Sequence, residues 1–150
     1  MLELIKGIQK VVLLTGLMLS SWTDIKNRQI SVKLIFVVSE LGLILFLIGK
    51  CMGDTMGGNA LLAGMSVGGI LLLVARLTGE RIGYGDGMLF VVTGIFEGFW
   101  NNLYLLLLSS ALAGGVALFF LISRKKGRAD SMPFAPFVSG GYVLLTLKGL

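Results

Sequence analysis

Long apolar runs fill this chain, separated by short polar segments. The pattern predicts helical spans at about 5–22, 32–49, 59–77, 88–100, 102–123 and 133–149. A span needs roughly 20 apolar residues to cross the hydrocarbon layer. The fourth run is the weak one. From Met88 to Trp100 it makes only about 20 Å of helix, it holds Glu97, and Asn101 and Asn102 follow it. Reading 88–108 as one span would give five spans rather than six.

Charge decides between the two counts. Lys26, Arg28 and Lys33 lie in the segment 23–33, Arg76 and Arg81 in 76–87, and Arg124, Lys125, Lys126 and Arg128 in 124–132. Nine of the 13 basic residues therefore fall on three alternate connections. Cytoplasmic loops carry the excess of Lys and Arg. Six spans put all three basic segments on that side and both termini outside, whereas five would send 124–132 outward. The expected fold is an all-α membrane protein, a single-domain polytopic bundle of about six transmembrane helices. The run 11–22, after Lys6 and Lys10, has signal-like character, but no small-x-small cleavage pattern follows and further spans do, so it reads as the first span.

Composition narrows the chemistry. Of 150 residues, 55% are hydrophobic and 14% charged, against about a quarter charged in soluble domains, which argues against a soluble enzyme. With no His, Ser-His catalysis and a HExxH zinc site are excluded. With Cys51 alone, neither an internal disulfide nor a CxxC cluster can form. The net charge of +5 reports topology and not nucleic-acid binding. Among the 22 glycines, Gly64, Gly68 and Gly69 in the third span, and Gly114 and Gly115 in the fifth, are expected to allow close helix contact. Trp22 and Trp100 suit interfacial anchors.

Eight acidic residues remain to be placed. Glu3, Asp54 and Asp130 read as solvated, and Glu80 as a loop partner of Arg81. Glu40, inside the second span, needs a partner or a proton, and Glu97 reads as interfacial. Asp24 follows the first span and Asp86 precedes the fourth, on the same side. Two carboxylates sharing a water do not both ionise easily; the ionised one can deprotonate water while the protonated one polarises a carbonyl. Gly83, Gly85 and Gly87 around Asp86 permit a close approach by a substrate strand. The plainer alternatives are an N-cap at Asp86 and an ion pair of Asp24 with Lys26 or Arg28.

Three stretches together resemble the type IV prepilin peptidases, membrane aspartyl proteases with a GxGD motif. Asp24 to Ile30 is similar to the family's first block, with Ser31 where Pro is common. Gly83-Tyr84-Gly85-Asp86 is similar to GxGD. Met132-Pro133-Phe134-Ala135-Pro136-Phe137 is similar to the Pro-Phe-small-Pro-Phe block before the last span. The resemblance implies catalysis by Asp24 and Asp86, with substrate along Gly83, Tyr84, Gly85 and Gly87, and no metal or cofactor. The implied partners are a prepilin or pseudopilin precursor and the lipid bilayer, in a bacterial inner membrane with the site facing the cytoplasm. Met88 stands where the family often has Lys. The segment with paired CxxC motifs that larger members carry has no counterpart here, so the chain resembles the short, cleavage-only members serving Flp or tight-adherence pili, and the methylation step is without support. Archaeal preflagellin peptidases share the catalytic pair. The rival reading is a non-enzymatic transporter or assembly subunit using Glu40 and Glu97 as intramembrane polar groups.

Overall fold

A computed structural model describes residues 1–53, 57–79, 83–123 and 133–147. Asp54, Glu80, Arg81, the basic run Arg124 to Arg128, Asp130, Met132 and Lys148 lie outside the described residues. The chain forms α1 (Leu2–Asn27), α2 (Val32–Cys51), α3 (Gly58–Leu77), α4 (Tyr84–Ile122) and α5 (Ala135–Leu147), with no strand among the described residues. Three of these, α2, α3 and α4, are long and apolar enough to cross a membrane, and α5 is a shorter apolar helix. The 26-residue α1 is more polar, with Glu3, Lys6, Lys10, Asp24 and Lys26.

The 39-residue α4 is not one rod. Gly98 has φ 71° and ψ −172°, outside the helical region and open to glycine alone. Residues 90 and 102 would lie about 18 Å apart along an unbroken helix. Instead the Asn102 amide donates to the Phe90 carbonyl at 2.8 Å, so the chain doubles back at Gly98. The first arm, 84–97, is roughly 21 Å long and the second, 99–122, roughly 36 Å. Five helices thus give six rods. The short fourth span of the hydropathy pattern is the first arm, and a single span over 88–108 does not exist.

Alternation of the rods places residues 28–31, 78–79, 83, 123 and 133–134 at one end of the bundle. Contacts at that end agree: Ile30 meets Gly85, Leu72 meets Gly87, and Asp24 meets Ala135. Trp22 is exposed at this end and Trp100 at the other, as interfacial anchors should be.

The first arm of α4 is the central pillar. No residue from 85 to 99 is exposed. The core around it includes Leu13 and Leu17 of α1, Ile35 and Val38 of α2, and Val138 and Tyr142 of α5. Large apolar side chains lie instead on the outer surface, among them Phe36 and Leu47 of α2 and Leu62 and Leu73 of α3. That distribution suits lipid as the surrounding solvent.

Between α3 and α4 the backbones themselves touch. A methyl group at Gly64 would strike the Gly94 carbonyl, one at Gly94 the Gly64 carbonyl, and one at Gly68 the backbone of Phe90 and Val91. Such approach replaces hydrophobic driving force with van der Waals contact. The expectation for Gly64 and Gly68 holds. Gly69, Gly114 and Gly115 differ, since nothing lies within 4 Å of a methyl group there; each sits on a rod's outward side. Gly94→Ala is therefore expected to cost about 1–3 kcal/mol, because backbone cannot swing aside as a side chain can. Gly69→Ala and Gly114→Ala are expected to stay within about 0.5 kcal/mol of the parent or gain slightly from helix propensity. Thermal unfolding in detergent measures all three.

Candidate active site

Helix α1 runs past the expected end of the first span and stops at Asn27. Asp24 therefore lies in its last turn and not in a following loop. Arg28 closes the helix in the left-handed conformation, φ 52°, donating its N–H to the Asp24 carbonyl at 2.8 Å. The Asp24 side chain is buried, at 7% exposure. Its Oδ2 accepts the backbone N–H of Ala135, the first residue of α5, at 3.0 Å. The ion pair with Lys26 or Arg28 does not form; Ala135 is the carboxylate's partner among the described residues.

Helix α4 starts four residues earlier than the apolar run at Met88. Gly83 is its N-cap and Asp86 its third residue, so the Gly-rich motif is a helix start and Asp86 is not the cap. The Asp86 N–H donates to the Gly83 carbonyl at 3.1 Å. A carboxylate in a first helical turn sits at the positive end of the peptide dipoles. The Asp86 carboxyl is half-buried and accepts no hydrogen bond among the described residues. Burial acts on it first and the charge of Asp24 second, which places the two acids near one another at the α1–α4 junction.

The other motif residues divide. Gly83 and Tyr84 are exposed at the start of α4, Tyr84 at 38%. Gly85 packs on Ile30, whose Cβ would lie 3.2 Å from a methyl group there. Gly87 is buried; a methyl group there would lie 2.7 Å from Leu72 of α3. Helix packing alone accounts for that glycine.

The third block completes the site. Phe134 packs on Phe90 of α4, ring centroids 6.3 Å apart, and the Ser21 hydroxyl of α1 donates to Ser139 of α5 at 3.0 Å. Pro136 sits in the first turn of α5, where its missing N–H costs no helical hydrogen bond. The residue types of this block mark a resemblance and do not point to the Ala135 amide. A backbone atom leaves no signature in residue type.

Residues 11–119 match the model of the type IV leader peptidase family. The chain belongs to that family. Over 146 residues it is also 27% identical to the prepilin leader peptidase/N-methyltransferase of Xanthomonas campestris pv. campestris, covering 93% of this chain and 50% of that protein. The chain thus spans about half the length of the curated relative it matches. No solved structure matches it. The type IV leader peptidase match contains Asp24 and Asp86. The block 133–137 lies beyond it, yet the fold carries that block onto Asp24.

The remaining acids fall elsewhere. Glu97 lies at the far end of the pillar, where it accepts from the Tyr142 hydroxyl at 3.1 Å and the Asn101 amide at 3.2 Å. Glu40 is exposed on α2. Among the described residues no three metal-binding side chains gather. A short thiol crosslinker is expected to join Asp24→Cys to Asp86→Cys in a Cys51→Ser background and to leave Asp24→Cys with Glu97→Cys unjoined; mass spectrometry of the membranes reads both.

Proposed function

We propose that this chain is an integral membrane aspartyl endopeptidase that removes the short basic leader from a type IV prepilin or pseudopilin precursor. The observation that carries the reading is the convergence of Asp24 and Asp86 at one end of the bundle, each from a different helix. Family membership and the prepilin peptidase relative support the substrate class. Lys26, Arg28 and Lys33 at the same end support a cytoplasmic orientation, which would place the site on the side where a precursor's leader waits before export.

The chemistry follows from the pair. Ionisation of one carboxyl opposes ionisation of the other, so a single shared proton is the working state. The ionised acid takes a proton from a water held between them as that water attacks the scissile carbonyl. The protonated acid donates to the carbonyl oxygen, and the resulting tetrahedral diol collapses by returning a proton to the departing amine. The exposed rim at Gly83 and Tyr84 offers the peptide an edge beside the acids. A leader junction is extended and polar on one side and helical and apolar on the other, and the site lies where such a segment leaves the lipid.

Two results are expected. Asp24→Asn and Asp86→Asn each abolish cleavage of a purified type IV prepilin in detergent, while both variants reach the membrane and unfold at the parent temperature. Full activity in either would remove the aspartyl mechanism. Wild-type kcat/KM should trace a bell against pH, falling on the acid side as both carboxyls take protons and on the alkaline side as both lose them. A profile flat from about pH 4 to about pH 9 would count against the shared proton.

A further inference from the structure

The two acids are chemically alike, but their surroundings are not. Asp24 accepts a backbone N–H at 3.0 Å through Oδ2. Asp86 accepts no hydrogen bond among the described residues. A donor aimed at a carboxylate oxygen favours its ionised form, and such charge-assisted bonds are the stronger kind. Asp86, half-buried and without such a donor, has only the dipole at the start of α4 on the side of its charged form.

Resting on the aspartyl peptidase reading, we infer that the Ala135 amide is a positioning group that makes Asp24 the water-activating base and leaves Asp86 to carry the proton. The amide occupies Oδ2, so the remaining oxygen, Oδ1, is the one free to take the water's proton. The donor is well anchored. Ala135 is fully buried, the Phe134 ring before it packs tilted against Phe90, and Ser139 one turn later is bonded to Ser21. The donor is also available, since the first N–H groups of a helix have no intrahelical acceptor. These contacts give the Pro-Phe-Ala-Pro-Phe block a chemical role. It delivers one N–H to one oxygen, with Phe134 and Ser139 fixing the angle.

Few other groups compete for influence on Asp24. The titratable side chains at this end, among the described residues, are Tyr84 and Asp86 on α4, Lys33 on α2, Arg76 in the last turn of α3, Lys26 on α1 and Arg28 at its C-cap. All except Asp86 are exposed. Helix α5 carries Tyr142 alone, and that hydroxyl is bonded to Glu97.

Removing the N–H tests the assignment, because the limb of the pH profile that moves identifies the role. Ala135→Pro deletes the donor at the first helical position, where Pro is tolerated. Replacing Ala135 by its α-hydroxy acid, which turns the amide into an ester, deletes the donor without a ring and serves if the Pro variant does not fold. The assay is cleavage of a purified type IV prepilin in detergent. Loss of a bond to a charged group is expected to move the acid limb of kcat/KM to higher pH by about one unit, with the alkaline limb in place. Ala135→Gly keeps the N–H and is expected to keep both limbs where wild type has them. Movement of the alkaline limb alone would make Asp24 the acid and overturn the inference. A fall in rate with both limbs unmoved would reduce the amide to a structural contact and also overturn it. Neither outcome touches the peptidase reading, which fails separately if wild-type protein cleaves no prepilin.

Discussion

One side chain holds the bundle's sharpest turn. Asn102 donates to the Phe90 carbonyl at 2.8 Å and the Gly64 carbonyl at 2.9 Å, and its Oδ1 accepts the Thr93 hydroxyl at 2.6 Å. Asn102 and Thr93 are fully buried. At membrane depth a buried polar group without a partner is costly, and irregular backbone survives only where protein satisfies it. The Asn102 amide meets that condition at the Gly98 reversal and ties three rods together: α3 through Gly64, the first arm of α4 through Phe90 and Thr93, and the second arm through itself. The glycine contact of Gly64 with Gly94 lies in the same layer and requires the same close approach.

The site inherits its geometry from that clamp. The reversal makes the first arm short, and packing on all sides leaves the arm one way to present a functional group, at its start. Asp86 is there. The second arm then returns the chain to the end where α5 begins, and α5 brings Ala135 to Asp24. A straight α4 would carry the chain to the opposite end and leave Asp24 without its donor. A residue bonded at the middle of the pillar therefore sets the conditions for chemistry at its start, roughly 6–11 Å along the arm, through rigid elements and not through a contact with the acids.

Much of this was legible in the sequence because lipid imposes simple rules. Apolar length located α2 and α3 to within a few residues, and the alternation of Lys and Arg favoured six rods over five. Asp24 and Asp86 stood out because carboxylates beside apolar runs are few. Other features were hidden for physical reasons. Asn101 and Asn102 were legible as the polar end of a span, but side-chain type does not distinguish an asparagine facing headgroups from one that clamps three backbones. Gly69, Gly114 and Gly115 carry the same composition signal as Gly64 and Gly68, yet only the latter face another helix, and facing is a property of the assembled bundle. The helix start at Tyr84 was masked by the polar character of its first turn, since hydropathy marks where lipid begins and not where hydrogen bonding does.

On the peptidase reading, the burial of the pillar also constrains how a substrate would meet the acids. With no residue from 85 to 99 exposed, an apolar helix lying in the bilayer cannot run alongside the first arm. It can rest on the outer faces of the surrounding rods, and it meets Asp86 only past their ends. A peptide bond inside a regular helix would keep its carbonyl engaged in an i to i−4 hydrogen bond and shielded from an attacking water. The scissile bond must therefore lie outside the apolar helix, in extended backbone at the bundle's end, where Gly83 and Tyr84 are open. On the proposed reading the position of the cut, just before the substrate's hydrophobic segment, follows from where a closed pillar allows its one reactive end to be reached.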